Sequence, residues 1–116
     1  MQYSLFIGRY QPLHAGHIKL IRKVLDEGNY VCIAIRNTAI DKNNPFDLHE
    51  RMKMLEREFG KEIDKAIVVI SVLPDISEVC YGRKVGWGIR EIRLDEETEK
   101  ISATEIRNVH KESNNI

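Results

Sequence analysis

The sequence predicts an α/β fold, a single domain in which a parallel sheet is flanked by helices. Short β-prone runs alternate with stretches of helical periodicity along the 116 residues, the order that a parallel sheet requires. A continuous apolar run at residues 66–72 has the composition of a buried central strand. No repeat, low-complexity tract or interdomain linker divides the chain, which is long enough for one core and leaves no room for a separate substrate domain. One domain is therefore expected over residues 1–116.

Residues 3–7 read as the first strand, which Gly8 breaks. Ile18, Ile21, Val24 and Leu25 then recur at helical spacing up to Gly28, placing the first helix over 17–27. Residues 30–36 form the second strand. The second helix is expected over 47–59, with Leu48, Met52, Leu55 and Phe59 on one face. The third strand covers 66–72, and 78–81 and 89–94 are shorter strand candidates. A last helix is expected over 102–110, where Ser102 and Glu105 have the spacing of a capping box. The longest irregular stretch, 37–46, follows the second strand and so opens onto the carboxyl edge of the sheet. It is read either as a cover that orients a ligand or as a plain surface loop.

The ten residues Gly8-Arg9-Tyr10-Gln11-Pro12-Leu13-His14-Ala15-Gly16-His17 lie where the first strand hands over to the first helix. Ligands bind at that edge of open parallel sheets. A helix beginning near Ala15 directs unpaired N–H groups and the positive end of its dipole at the loop, which makes an anion site. Gly16 has no side chain to keep a phosphate from the backbone. His14 and His17, three residues apart, face the same side once the turn winds into a helix. Two imidazole donors at that point suit charge developing on a phosphoryl oxygen. The pair could also be read as half of a zinc site, but zinc needs at least a third protein ligand. Only His49, His110, Cys32, Cys80 and scattered carboxylates could supply it, none at a recognisable spacing.

Near the other end, Ser102 and Thr104 bring hydroxyls and Arg107 a guanidinium to a second helix start, a set able to hold one phosphate group. Eighteen basic residues balance eighteen acidic ones, so no global field draws the protein to nucleic acid or membrane. Neither a spanning apolar stretch nor a signal-peptide pattern is present, and a cytoplasmic location is expected. Cys32 and Cys80 sit among apolar residues and are read as buried, reduced thiols.

His14-Ala15-Gly16-His17 together with Ile101-Ser102-Ala103-Thr104-Glu105-Ile106-Arg107 resembles the nucleotidylyltransferase superfamily, whose signatures are a His-x-Gly-His and an Ile-Ser-x-Thr-x-x-Arg in this order. The chain looks like one minimal, Rossmann-like nucleotidylyltransferase domain. Asn44-Pro45-Phe46, Glu50-Arg51 and Met54, with Gly8-Arg9-Tyr10-Gln11-Pro12, are similar to stretches of archaeal-type nicotinamide-mononucleotide adenylyltransferases. Cytidylyltransferases acting on glycerol 3-phosphate or ethanolamine phosphate share the His-x-Gly-His but usually approach it through a Gly-Thr-Phe-Asp type of sequence. Adenylyl transfer is therefore preferred, with cytidylyl transfer from CTP as the rival and a nucleotide-binding module without turnover as the reading from another class.

The resemblance implies that a phosphorylated acceptor attacks the α-phosphorus of a nucleoside triphosphate, ATP rather than CTP. His14 and His17 would meet the triphosphate, with His17 at the α-phosphate. The backbone of Gly8, Arg9 and Tyr10 would lie against the nucleotide, Gly16 would make room for the ribose, and Ser102, Thr104 and Arg107 would hold the β- and γ-phosphates. Arg9 and Lys19 are further sources of positive charge for the nucleotide, and Arg36 and Arg51 for the acceptor. A surface ion pair is the competing role for Arg36, and a link to Asp47 or Glu58 for Arg51. Mg²⁺ is expected to arrive on triphosphate oxygens and water, because no acidic cluster is present. The chain departs from these relatives at Arg36-Asn37, where they carry a Gly-Ser type of sequence, and in a shortened acceptor region. There Arg83 and Lys84 could take the acceptor phosphate and Trp87 stack on a ring, or Trp87 could simply cover the core or an oligomer interface. A homo-oligomer is expected.

Overall fold

A computed structural model describes residues 2–80, 82, 83, 86 and 88–93. It contains, in chain order, β1 (Tyr3–Gly8), α1 (Ala15–Asp26), β2 (Tyr30–Asn37), α2 (Leu48–Asp64) and β3 (Val68–Pro74). The three strands form one parallel sheet in the order β1-β2-β3. Leu5 pairs with Cys32 and Ile33 with Ile70. The α/β class expected from the alternating pattern is thus the one observed. The expected helix over 102–110 lies outside the described residues.

Right-handed crossovers place both helices of such a β-α-β-α-β unit on one face of the sheet. The core agrees. Val31, Ile33 and Ile35 of β2 and Val68 of β3 meet Ile21 and Val24 of α1 and Leu55 and Phe59 of α2. Tyr3, Leu5 and Ile7, which alternate on the opposite face of β1, stay open to solvent.

Each helix boundary has a local cause. His14 caps α1, and Gly28 ends it at φ +85, its N–H donating to the carbonyl of Leu25 at 2.9 Å; only glycine takes that left-handed angle freely. Asp47 caps α2, its side chain accepting from the N–H of Glu50 at 2.7 Å. The helix does not stop at Phe59 as the sequence pattern suggests. It bends there, with φ −113 and ψ 19, and runs on to Asp64, because Ile63 still has core to pack against. Arg22 of α1 fastens the two helices together. It pairs with Glu62, donates to the carbonyl of Glu58 at 2.8 Å and lies 4.6 Å over the ring of Phe59.

Three expectations are corrected. Among the described residues the central strand is β2, whose Val31, Ile33, Ala34 and Ile35 are all buried, whereas β3 lies at the edge and Val72 is exposed. An apolar run of five to seven residues does not by itself say which strand will be central, and both runs here are continuous. Residues 78–80 and 88–93 form no strand. They join no ladder, and Arg90 instead makes two 2.7 Å hydrogen bonds to Glu27 just past α1, while Ile92 packs on the core. Cys80, in one of these segments, is exposed, and Cys32 is half-buried; both are free thiols.

The largest fully buried side chain is a charged one, Arg51 on α2. Its Nη1 donates to the carbonyls of Arg9 (2.8 Å) and Arg36 (2.9 Å), and its Nε to that of Asp47 (3.3 Å). It therefore ties the carboxyl ends of β1 and β2 to the start of α2. Burial lowers its pKa, against the attraction of Asp47. Replacing Arg51 by Met keeps the apolar length but takes the donor from the carbonyl of Arg9, while the carbonyl of Arg36 keeps the N–H of Thr38 and that of Asp47 keeps the backbone N–H of residue 51. Arg51→Met is expected to lower the urea-unfolding free energy by about 1–3 kcal/mol, the scale of one orphaned acceptor.

Candidate active site

The carboxyl edge gathers the end of β1, the end of β2 and the N-termini of both helices. The loop from β1 to α1 is built outward from Gly8. A Cβ on Gly8 would lie 3.1 Å from Cζ of Tyr10, so the glycine lets the Tyr10 ring rest on the strand end. Tyr10 itself takes a positive φ of 52 and is only 3% exposed. Such a conformation costs an L-residue on the order of 1 kcal/mol and is held by its surroundings. The buried phenol titrates above its ordinary range because of desolvation first and of Cys32 second. The edge of the Tyr10 ring meets His17, with centroids 4.9 Å apart and planes at 64°. His17 in turn stacks on His14, at 3.8 Å and 22°.

Backbone N–H groups fix both imidazoles. The N–H of Gly16 donates to Nδ1 of His14 at 3.0 Å, and the N–H of His14 donates to Nδ1 of His17 at 3.2 Å. The result is a capping box in which both partners are histidines. An Nδ1 that accepts a hydrogen bond carries no proton, so each neutral ring bears its hydrogen on Nε2. Gly16 is buried and its N–H is committed to His14. What α1 presents at its start is thus two ring N–H donors. Burial, then the neighbouring His14, pushes the pKa of His17 down to about 4, and burial also lowers that of His14. Both rings are neutral at pH 7.

A second loop is fastened to the first. The amide of Gln11, 1% exposed, donates to the carbonyl of Phe46 and accepts from its N–H, both at 2.9 Å. Nη1 of Arg9 donates to Oδ1 of Asn44 at 3.2 Å. The stretch at 38–46 is accordingly anchored to the histidine loop at two points rather than running free over the surface.

The remaining sequence-derived positions are dispersed. Lys19 is exposed on α1. Arg36, next to last in β2, has its Nη2 on Oδ1 of Asp75 (2.8 Å) and on the carbonyl of Ile76 (3.2 Å), the ion pair that competes with a ligand role. Arg51 is neither exposed nor paired with a carboxylate; its guanidinium holds backbone carbonyls. Arg83 is exposed, while Lys84, Trp87, Ser102, Thr104 and Arg107 lie outside the described residues. Among the described residues no three His, Cys, Asp or Glu side chains are grouped to hold a metal. A hollow of about 380 Å³ lined by His49, Glu50, Lys53, Met54 and Arg57 belongs to the surface of α2 and includes none of the loop residues. Gln11, Asp41 and Asn44 are the functional candidates that spacing alone does not single out. Their only signal in the sequence is that Gln11 and Asn44 fall inside the two short stretches shared with adenylyltransferases.

Comparison with known proteins gives a consistent picture. The sequence profile of a family described as cytidylyltransferase-like matches residues 5–76, which run from within β1 to just past β3 and include His14 and His17. The chain is 42% identical over 82 residues to a nicotinamide-nucleotide adenylyltransferase of Pyrococcus furiosus, a match covering 66% of this chain and 43% of that protein. It is 40% identical over 77 residues to the enzyme of the same name from Thermococcus sibiricus, covering 64% and 41%. With a nicotinamide/nicotinic acid mononucleotide adenylyltransferase of Acinetobacter baylyi it shares 34% over 73 residues, covering 61% and 39%. The chain thus matches about four tenths of the length of these relatives.

The depressed pKa of His17 has a consequence for stability. The unfolded state takes up the proton near the ordinary value of 6.5, the folded state only near 4, so folding loses free energy as pH falls through that window and is unaffected above it. Urea-unfolding midpoints at pH 7.5, 5.5 and 4.5 are expected to fall for the native chain more steeply than for His17→Gln, which has no ring to protonate. Parallel slopes for the two proteins would contradict the assignment.

Proposed function

Since the chain belongs to the cytidylyltransferase-like family, we propose that it transfers the adenylyl group of ATP to the phosphate of a small phosphorylated acceptor and releases pyrophosphate. Nicotinamide mononucleotide is the first acceptor to try, on the strength of the relatives' names. The observation that carries the reading is the stacked pair His14 and His17, both neutral and both held with Nε2–H free to donate, at the carboxyl edge and at a helix N-terminus.

A phosphate monoester is largely dianionic at pH 7, with a second pKa of about 6, and needs no general base. One of its oxygens forms a bond to the α-phosphorus in line with the bond to the β-phosphate oxygen. That bond breaks, and pyrophosphate takes the electron pair. Charge grows on the equatorial α-oxygens and on the departing oxygen, where the imidazole N–H groups and the start of α1 stabilise it without giving up a proton. Ser102, Thr104 and Arg107 are proposed to hold the β- and γ-phosphates. Arg36, Arg83, Lys84 and Trp87 are proposed to serve the acceptor, and Arg9 and Lys19 the triphosphate. Mg²⁺ is proposed to enter with the triphosphate, bound by its oxygens, since the described side chains offer no cage for it. The proposed setting is the cytoplasm, as a homo-oligomer, with neither nucleic acid nor membrane as partner.

The test is pyrophosphate release in the presence of Mg²⁺, with ATP and CTP each offered with nicotinamide mononucleotide, nicotinate mononucleotide and glycerol 3-phosphate. ATP with one of the two mononucleotides is expected to turn over, and His17→Ala to lower the rate roughly a hundredfold. Turnover only with CTP and glycerol 3-phosphate would assign the cytidylyl reaction instead. Tight nucleotide binding without release from any pair would make the chain a binding module.

A further inference from the structure

We propose that Asp41 and Asn44 are positioning residues that aim the Arg9 guanidinium at substrate phosphate while leaving its charge unneutralised; this rests on the adenylyl-transfer reading of the same site. The turn at residues 41–44 is closed by reciprocal backbone bonds between Asp41 and Asn44, at 3.1 and 3.2 Å. Oδ1 of Asp41 accepts from the N–H of Asn43 (2.8 Å), the N–H of Asn44 (2.8 Å) and Nδ2 of Asn44 (3.0 Å). The last of these decides which way the amide of Asn44 points. With its nitrogen committed to Asp41, its oxygen faces Arg9 and accepts from Nη1 at 3.2 Å. Asn44 is 8% exposed, so this orientation is set inside the protein and not by solvent. The hydrogen bonds from Asn44, then from Asn43, hold the Asp41 carboxyl below its ordinary range, so it stays an acceptor at any working pH.

The choice of an amide matters. A carboxylate in the place of Asn44 would fix Arg9 equally well but would cancel its charge and compete with a phosphate for the same donors. The amide oxygen engages one N–H of the five and leaves the positive charge whole. Asp41 bonds Asn44 and not Arg9, with its Oδ1 filled by three donors, so it acts on the guanidinium only through space. At the other end of the residue, the carbonyl of Arg9 is gripped by Arg51 at 2.8 Å. Backbone and side chain of Arg9 are therefore each held by a separate buried group, a degree of fixing that an idle surface arginine does not receive.

The experiment is a double-mutant cycle on ATP affinity, measured by titration calorimetry on the full chain with Mg²⁺, using Arg9→Ala, Asn44→Ala, Asp41→Ala and the two doubles that contain Arg9→Ala. Asn44→Ala and Asp41→Ala are each expected to weaken ATP binding roughly five- to tenfold, the scale of one hydrogen bond to a charged group, and to have no further effect once Arg9 is gone. Adenosine, which carries no phosphate, is expected to bind all variants alike. Asp41→Ala leaves Asn44 in place and keeps the test open if Asn44→Ala does not fold. Additive losses, or an equal loss of adenosine binding, would overturn the proposal and leave both residues as turn formers. A native chain that binds no ATP would overturn the adenylyl-transfer reading and this inference with it.

Discussion

The architecture of the carboxyl edge depends on one buried cation. Where parallel strands end, their last carbonyls have no ladder partner and must find donors elsewhere or stay wet. Arg51 donates at once to the carbonyl of Arg9, just past β1, and to that of Arg36 near the end of β2, which also accepts from the N–H of Thr38, and it donates a third bond to the carbonyl of Asp47 at the start of its own helix. Removing an ion from water costs several kcal/mol, which the three carbonyls offset through Nε and Nη1 of the planar guanidinium, while Nη2 is buried without a partner among the described residues. A neutral or shorter side chain would reach one strand or the other. Because it grips both, the chain leaves β1 and β2 in a fixed relation, and the side chains of Arg9 and Arg36 depart from fixed points.

The chemistry of the edge follows from what surrounds the histidines. Two imidazoles 3.8 Å apart cannot both be charged without mutual repulsion, and each accepts an N–H bond at Nδ1 that protonation would destroy. The start of α1 adds a positive dipole end, which discourages a proton on the rings and favours an anion beside them. The two imidazoles therefore act as neutral donors, and the fixed positive charge of the loop is that of Arg9. An anion binding there gains hydrogen bonds at once and needs no proton to be rearranged. The same backbone bonds that cap the helix thus orient the candidate catalytic groups, so that fold and site are served by one set of atoms.

Much of this was legible from the amino-acid order. β1, α1 and β2 follow from short apolar runs, helical periodicity and the glycines that punctuate them, and the three-residue spacing of His14 and His17 places both rings on one side. What the order could not reveal are pairings between distant residues. Gln11 and Phe46 are 35 positions apart, and Arg9 and Arg51 are 42. Nothing in either local sequence announces them. Arg51 illustrates the difficulty. On a helical wheel it is one more charged residue, and only the meeting of two strand ends above it makes burial possible. β3 went astray for a related reason, since the apolar runs of β2 and β3 look alike and sheet order is decided by what each strand packs against.

The carboxyl edge can act as an anion site of this kind only with both imidazoles neutral and carrying their hydrogen on Nε2. Long-range proton–nitrogen correlation spectra of the ¹⁵N-labelled chain at pH 7 read this directly, since protonated and bare ring nitrogens resonate far apart. Nδ1 bare and Nε2 protonated on both His14 and His17 is the result predicted. A hydrogen on Nδ1 of either ring, or a doubly protonated ring at that pH, would contradict it.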